Sequence, residues 1–218
     1  MILSARHGNT LNGSALNTGP PVFFSKNSNM KKETVIFING TSSSGKTCIV
    51  HALQDLLDQP FLEAGIDKFI WSLPSRYLSH PHWDDILGRA DQAGEAGLNL
   101  VRGMHRAIQA LSNSGCNVIA DHVLVESAWV NDCVRLFFSL PAYLIGVQCP
   151  LEILENRERS LKNRTLGQAR KQFPLIHKDL LYDLEVDTSQ LSPQECALNI
   201  KSRLNEMPRA FHQMRQMI

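Results

Sequence analysis

From Thr34 onward the chain alternates short apolar runs with longer stretches whose apolar positions recur at helical spacing. Val35-Ile36-Phe37-Ile38 is a continuous apolar run ending in Asn39-Gly40, the pattern of a strand buried on both faces. Ile49, Leu53, Leu56 and Leu57 then follow helical spacing up to a stop near Pro60. Phe61-Leu62-Glu63-Ala64 is a weaker strand candidate. Leu100, Met104, Ile108 and Leu111 form one stripe of a longer helix, closed by Ser114-Gly115. Val118-Ile119-Ala120 predicts a buried strand ending at Asp121, and Val130, Val134 and Phe137 predict a helix before Pro141. Tyr143 to Val147 reads as a further strand, after which Cys149-Pro150 opens another helix. Leu184-Glu185-Val186-Asp187 alternates as a last strand. Ser192-Pro193-Gln194-Glu195 has the form of a capping box with proline at the first helical position, and that helix would bury Ala197, Ile200 and Leu204. Strands alternating with helices predict an α/β three-layer sandwich with a mostly parallel central sheet.

Two segments stand apart from this rhythm. Residues 1–33 are rich in Asn, Ser, Gly and Thr around Pro20-Pro21, and are expected to be a disordered leader to a domain spanning 34–218. Met30, just before Lys31-Lys32 and the first strand, is a candidate biological start, which the intact mass of the natively expressed protein would test. Ser75 to Glu95 mixes Pro, His, Trp, Gly and charge, and is the expected insertion or substrate lid.

Composition narrows the function. Lys plus Arg number 22 against 21 Asp plus Glu, for a formal net charge of +1, so no bulk field recommends nucleic acid or an anionic membrane as partner. Five dispersed cysteines without a C-x-x-C pair argue against a zinc site or disulfide framework and for a reducing compartment. No apolar run approaches the ~20 residues a spanning helix needs. The expectation is a cytoplasmic protein; its oligomeric state is not legible.

The most specific signal is Gly40-Thr41-Ser42-Ser43-Ser44-Gly45-Lys46-Thr47, which matches G-x-x-x-x-G-K-[ST] between a buried strand and an amphipathic helix. Gly40 and Gly45 permit a tight loop whose backbone N–H groups turn onto phosphates, and the helix N-terminus favours an anion. Lys46 can reach the β- and γ-phosphates, and the Thr47 hydroxyl can bind the Mg²⁺ that bridges them. The alternative, a Gly/Ser-rich turn that matches by chance, is disfavoured by its context. ATP and Mg²⁺ are the expected cofactors, although the loop alone does not separate kinase from switch or motor.

Phosphoryl transfer to an alcohol also needs a carboxylate to accept the hydroxyl proton. Asp67 follows the second strand candidate, at the carboxyl edge where ligands bind in parallel sheets, and could serve. It could equally be the N-cap of a helix beginning at Lys68. Asp121, at the end of its strand, could hold Mg²⁺ through water or merely make a turn. His122 beside it could contact substrate or be a polar residue at a site edge. Arg157, Arg159, Lys162, Arg164, Arg170 and Lys171 could form an Arg-bearing lid over the phosphates, with Arg164 the best candidate. The plainer reading is a solvated helix with Glu155 and Arg159 as an i,i+4 pair. His80-x-His82 is too sparse for a metal site.

Taken together these pieces resemble the chloramphenicol phosphotransferase family. The resemblance runs from about Thr34 to Leu204 and is carried by Ile38-Asn39-Gly40 with the loop, Gly65-Ile66-Asp67-Lys68-Phe69-Ile70, Val118 to Asp121, Gly146-Val147-Gln148-Cys149, Arg157-Glu158, Arg164, Gly167, Lys171-Gln172, His177 and Tyr182 to Thr188. It implies a P-loop kinase fold and ATP-dependent phosphorylation of a primary hydroxyl of the antibiotic. It further implies that Asp67 is the catalytic aspartate, that Arg164 is the lid arginine, and that the chain around Thr188 lies near adenine. His122 departs from the family pattern, which has a second Asp there, and the Ser75 to Glu95 region does not match. Three readings are thereby distinguished. The first is a kinase with a small-molecule hydroxyl acceptor, catalysed by Asp67, Lys46 and Arg164. The second is a P-loop kinase acting on a nucleotide sugar or macromolecule, as toxin-type kinases do. The third is a nucleotide switch, suggested by Asp85-x-x-Gly88 and opposed by the lack of a guanine-reading N-K-x-D.

Overall fold

The computed structural model describes residues 34–74, 94–160 and 166–218. The leader, the 75–93 segment with His80, His82 and Asp85, and the stretch 161–165 with Lys162 and Arg164 lie outside the described residues. Chain contacts divide the protein into Met1–Met30 and Lys31–Ile218, and every described residue belongs to the second unit.

The elements in order are β1 (Val35–Asn39), α1 (Lys46–Leu56), β2 (Phe61–Glu63), α2 (Ile66–Trp71), α3 (Gly94–Asn113), β3 (Asn117–His122), α4 (Ser127–Phe137), β4 (Ala142–Gln148), α5 (Leu151–Ser160), α6 (Gln168–Gln172), β5 (Leu184–Asp187), α7 (Pro193–Arg203) and α8 (Ala210–Gln216). Five strands pair in the order β2-β3-β1-β4-β5, and every pairing is parallel. With β1 at the centre, its carboxyl end opens between β3 and β4, where Asn39 pairs in register with His122 and with Gly146.

Alternate residues of β1 feed two cores, as the period-2 geometry of a strand requires. Val35 and Phe37 face a cluster with Met104 and Ile108 of α3, Trp129, Val134 and Phe137 of α4, and Phe211 and Met214 of α8. Ile36 and Ile38 face a second cluster with Ile49, Val50 and Leu53 of α1 and Cys196, Ala197 and Ile200 of α7. Phe37 meets Phe137 and Phe211 edge-on, at centroid distances of 4.8 and 5.5 Å. Cys133, Cys149 and Cys196 are buried, Cys116 is half-buried and Cys48 is exposed. Among the described residues no helix is long and apolar enough to cross a membrane.

The capping box of α7 forms as the sequence predicts, with Ser192 accepting from the Glu195 N–H and Glu195 reaching back to the Ser192 N–H at 2.8 Å. The final helix, α8, follows the helix-terminating Leu204 and was not legible. Asp183 pins it: its buried carboxylate accepts from the backbone N–H groups of Leu144 (3.0 Å), Arg209 (2.6 Å) and Ala210 (3.3 Å), and from Arg203 (2.9 Å). The expected Glu155–Arg159 pair is replaced. Glu155 binds Arg170 of α6 at 2.6 Å, while Arg159 turns to Asn156, because the packing of α6 on α5 offers Glu155 a partner across the helices.

Candidate active site

The loop between β1 and α1 departs from ordinary backbone where the motif requires it. Ser43 and Gly45 have φ of 64° and 92°. Gly40 must be small for another reason, since a Cβ there would lie 2.8 Å from Ser44 Oγ and 3.0 Å from the Val147 carbonyl oxygen. Lys46 is 8% exposed, and its ammonium donates to the carbonyls of Gly40 (2.9 Å) and Thr41 (2.7 Å). The Ser42 N–H donates to Gln172 Oε1 of α6 at 2.7 Å. On the far side Thr188 donates to the Ser44 carbonyl at 2.8 Å, and Arg157 donates to Thr188 Oγ1 (3.1 Å) and to the Thr188 carbonyl (2.8 Å). The hydroxyls of Ser42, Ser43 and Ser44 are buried without a hydrogen-bond partner among the described residues.

Asp121 stands beside this loop near the carboxyl end of β3. The Thr47 hydroxyl lies 3.5 Å from its Oδ2. Its other oxygen packs so tightly on Gly65 that a Cβ there would be 1.5 Å from Oδ1. Burial pushes the Asp121 carboxyl up from the usual carboxylate range; the Lys46 charge opposes this, and the charges of Asp67 and Glu63 add to it. Asp121 therefore feels the charges of both the loop lysine and Asp67.

Asp67 sits in the first turn of α2, half-buried. The helix begins at Ile66 rather than Lys68, with extended Gly65 as its N-cap, so the N-cap reading of Asp67 is corrected. Gly65 can hold this place because only a residue without a side chain fits under Asp121. Lys68 pairs with Glu63 at 3.0 Å, which leaves the Asp67 carboxylate out of that exposed ion pair.

The family profile of chloramphenicol phosphotransferase-like proteins matches residues 33–205. The chain belongs to the chloramphenicol phosphotransferase-like family. Within that family's curated relatives, a protein of Mycobacterium tuberculosis (strain H37Rv) provisionally named an O-phosphotransferase is 32% identical over 202 residues, covering 86% of this chain and 90% of its own. Solved structures with the same fold include the adenylylsulfate (APS) kinase CysC of M. tuberculosis in complex with AMPPNP and APS, with a TM-score of 0.56, 14% identity, and coverage of 80% of this chain and 99% of that one. A gluconokinase of Sinorhizobium meliloti aligns with a TM-score of 0.57 at 14% identity, covering 79% and 92%. This chloramphenicol phosphotransferase-like chain is thus a phosphotransferase built on the P-loop kinase fold.

His122, where the resemblance leads one to expect an acidic residue, lies in the protein interior. It is fully buried, and both its ring nitrogens are used by the protein. The Val123 N–H donates to Nδ1 at 2.7 Å, so the proton of the neutral ring is on Nε2, which donates to His105 Nε2 at 2.8 Å. His105 in turn donates from Nδ1 to Asp132 at 2.8 Å, and Arg106 closes the chain on Asp132 at 3.0 and 3.2 Å. Burial lowers the pKa of His122 well below its usual value, and the charges of His105 and Lys46 add to this. Burial lowers His105 too, against the pull of Asp132. Burial would raise Asp132, but hydrogen bonds from His105 and Arg106 hold it at about 2. The donor atoms of His105, His122 and Cys133 lie within 4.8 Å of one another. The fixed tautomers leave His122 no lone pair for a metal, and burial pushes the Cys133 thiol well up, so this is a hydrogen-bonded chain.

Sequence reasoning also missed the support beneath the loop. Asn39 donates to the Ile176 carbonyl (2.9 Å) and to Tyr182 Oη (2.8 Å), and accepts from the Leu124 N–H (2.8 Å). Tyr182 Oη meets His177 Nδ1 at 2.8 Å, and its ring lies over Gly146, where a Cβ would come within 2.9 Å. Burial lowers the His177 pKa and raises that of Tyr182. The family blocks at Asn39-Gly40, Gly146, His177 and Tyr182 were visible in sequence; their convergence was not.

Proposed function

We propose that this phosphotransferase transfers the γ-phosphoryl group of ATP to a hydroxyl of a small molecule, with a chloramphenicol-like alcohol as the acceptor class. One observation supports this reading: Asp121 lies 3.5 Å from the Thr47 hydroxyl of the loop and packs on Gly65, which leads into Asp67, as expected if the anion-binding loop and the acidic side chain border one space. In it Gly40 to Thr47 cradle the phosphates, and Lys46 supplies the cation beside the β- and γ-phosphates. The unpartnered hydroxyls of Ser42, Ser43 and Ser44 are donors that suit a polyanion. Thr47 and Asp121 present the oxygen ligands that a hard cation takes, and they would hold Mg²⁺, which neutralises charge on the phosphates. Asp67 accepts the proton of the acceptor hydroxyl as it attacks in line. Arg164, outside the described residues, is assigned to the lid through the family pattern. The free cysteines suit a cytoplasmic setting.

Asp67→Asn tests the base. Incubated with ATP, Mg²⁺ and a panel of hydroxyl compounds including chloramphenicol, wild type is expected to add a phosphate mass to an acceptor. The variant should do so ~10²–10⁴ times more slowly while binding ATP equally well. Transfer at the wild-type rate by Asp67→Asn would remove Asp67 from the mechanism.

A further inference from the structure

Gln172 ends α6 and is 3% exposed, and its carboxamide is only half used. Oε1 accepts from the Ser42 N–H at 2.7 Å. That contact fixes which arm is which, because turning the amide over would set an N–H against an N–H. The other arm, Nε2, is buried with no acceptor among the described residues. Natural interiors rarely leave such a donor unpaired. The backbone N–H groups of a glycine-framed phosphate loop point into its concavity, so a group that accepts from one of them stands at that concavity. Three more donors without hydrogen-bond partners among the described residues, the hydroxyls of Ser42, Ser43 and Ser44, lie on the same loop.

We propose that Gln172 reads the terminal phosphoryl group of the bound nucleotide: Oε1 holds the third residue of the loop in place, and Nε2 donates to a γ-phosphoryl oxygen. This rests on the ATP-dependent reading above. The role is one of binding and positioning, with no proton transferred. It also makes α6 responsive to whether the nucleotide carries its third phosphate, since ADP offers Nε2 no acceptor.

Calorimetric titration of the full chain with Mg²⁺-AMPPNP and with Mg²⁺-ADP tests this. Gln172→Glu keeps an oxygen for Ser42 but replaces the donor with a second oxygen; Gln172→Met keeps the length and removes both functions. A hydrogen bond to a charged group implies a loss of ~10- to 100-fold in AMPPNP affinity for both variants, with a smaller loss for ADP. An AMPPNP-to-ADP affinity ratio equal to wild type in both variants overturns the proposal, as does an equal weakening of both nucleotides, which is the outcome of a purely structural role. Should either variant fail to fold, the side-chain NH₂ resonances of Gln172 in wild type decide. They are expected to shift with AMPPNP and not with ADP, and resonances that respond identically to both overturn the assignment. If wild type binds neither nucleotide, the ATP-dependent reading falls and this one with it; if it binds both and the ratio is indifferent to Gln172, this one alone falls.

Discussion

Gly65→Ala isolates the contact on which the site depends. The backbone at Gly65 is extended, with φ −72° and ψ 164°, so alanine meets no conformational barrier. The obstacle is steric: the new methyl would lie 1.5 Å from Asp121 Oδ1, 2.7 Å from Cγ and 3.2 Å from the Asp121 carbonyl oxygen. The carbonyl needs to yield only a few tenths of an ångström, whereas the carboxylate must retreat by about 2 Å to reach ordinary contact. A carboxylate swings on its side-chain torsions more readily than the strand moves, so the fold should survive with Asp121 carried away from Thr47, now 3.5 Å distant. Displacements of about 1 Å in a reacting constellation can cost ~10²-fold in rate, and this one is larger. Gly65→Ala should therefore melt within a few degrees of wild type, demand a higher Mg²⁺ concentration for half-maximal nucleotide binding, and transfer phosphate at least ~10²-fold more slowly. Unchanged Mg²⁺ dependence and rate in a folded Gly65→Ala would show that the position of Asp121 is irrelevant to the chemistry.

Two other outcomes are expected from the buried polar groups. Asn39→Asp keeps the acceptor for the Leu124 N–H but strips both donors, leaving the Ile176 carbonyl and Tyr182 Oη short of a partner in a fully buried position; urea unfolding should show a loss of about 2–4 kcal/mol, and a loss below about 0.5 kcal/mol would refute the pairing. His105 and His122 have folded pKa values below their ordinary 6.5, so the unfolded chain binds more protons, and stability present above that pH should decline as pH falls through and below it. Asp121, raised above 3.8 by burial, works in the opposite sense, so the comparison is made in the Asp121→Asn variant. Denaturation midpoints measured at pH 8 and pH 5 check this, and equal midpoints would contradict the histidine chain.

The range of each interaction decides how much of the molecule is legible in its sequence. β1, α1, β3, β4, β5 and α7 were readable because an apolar run, a helical stripe or a capping box is written within a dozen consecutive residues. The loop was legible for the same reason: its glycines, lysine and threonine are contiguous. By contrast, Gln172 meets Ser42 across 130 residues, Asn39 meets Ile176 across 137, and Asp183 meets Leu144 across 39. No local pattern encodes such meetings; parallel strand order does, by bringing distant carboxyl ends to one edge. The surroundings of His122 were hidden on the same ground. A histidine at a strand end looks available until α3 delivers His105 from 17 positions away. The sequence also could not say that Asp67 would lie inside its helix, because the cap is a glycine whose reason for being there is Asp121, a long-range neighbour.

The distribution of polar satisfaction separates residues that hold the fold from residues that await something. Asn39, Asp183 and the buried Glu158, which accepts from the Gly167 and Ala169 N–H groups, spend their hydrogen-bonding capacity inside the protein. Among the described residues the Oγ atoms of Ser42, Ser43 and Ser44 and Nε2 of Gln172 have no hydrogen-bond partner, as Trp129 Nε1 and Arg203 Nη1 have none elsewhere, and the first four all belong to the loop or to its α6 partner. The free arm of Gln172 can only donate, and each serine can donate. Donors gathered on one loop, at a helix N-terminus and beside a lysine, suit an anion. Asp121 feels the charges of both Lys46 and Asp67, so the acidic groups and the loop act on one another electrostatically. The proposed transfer needs such a division, with donors for a polyphosphate on the loop and carboxylates beside it for a proton or a cation.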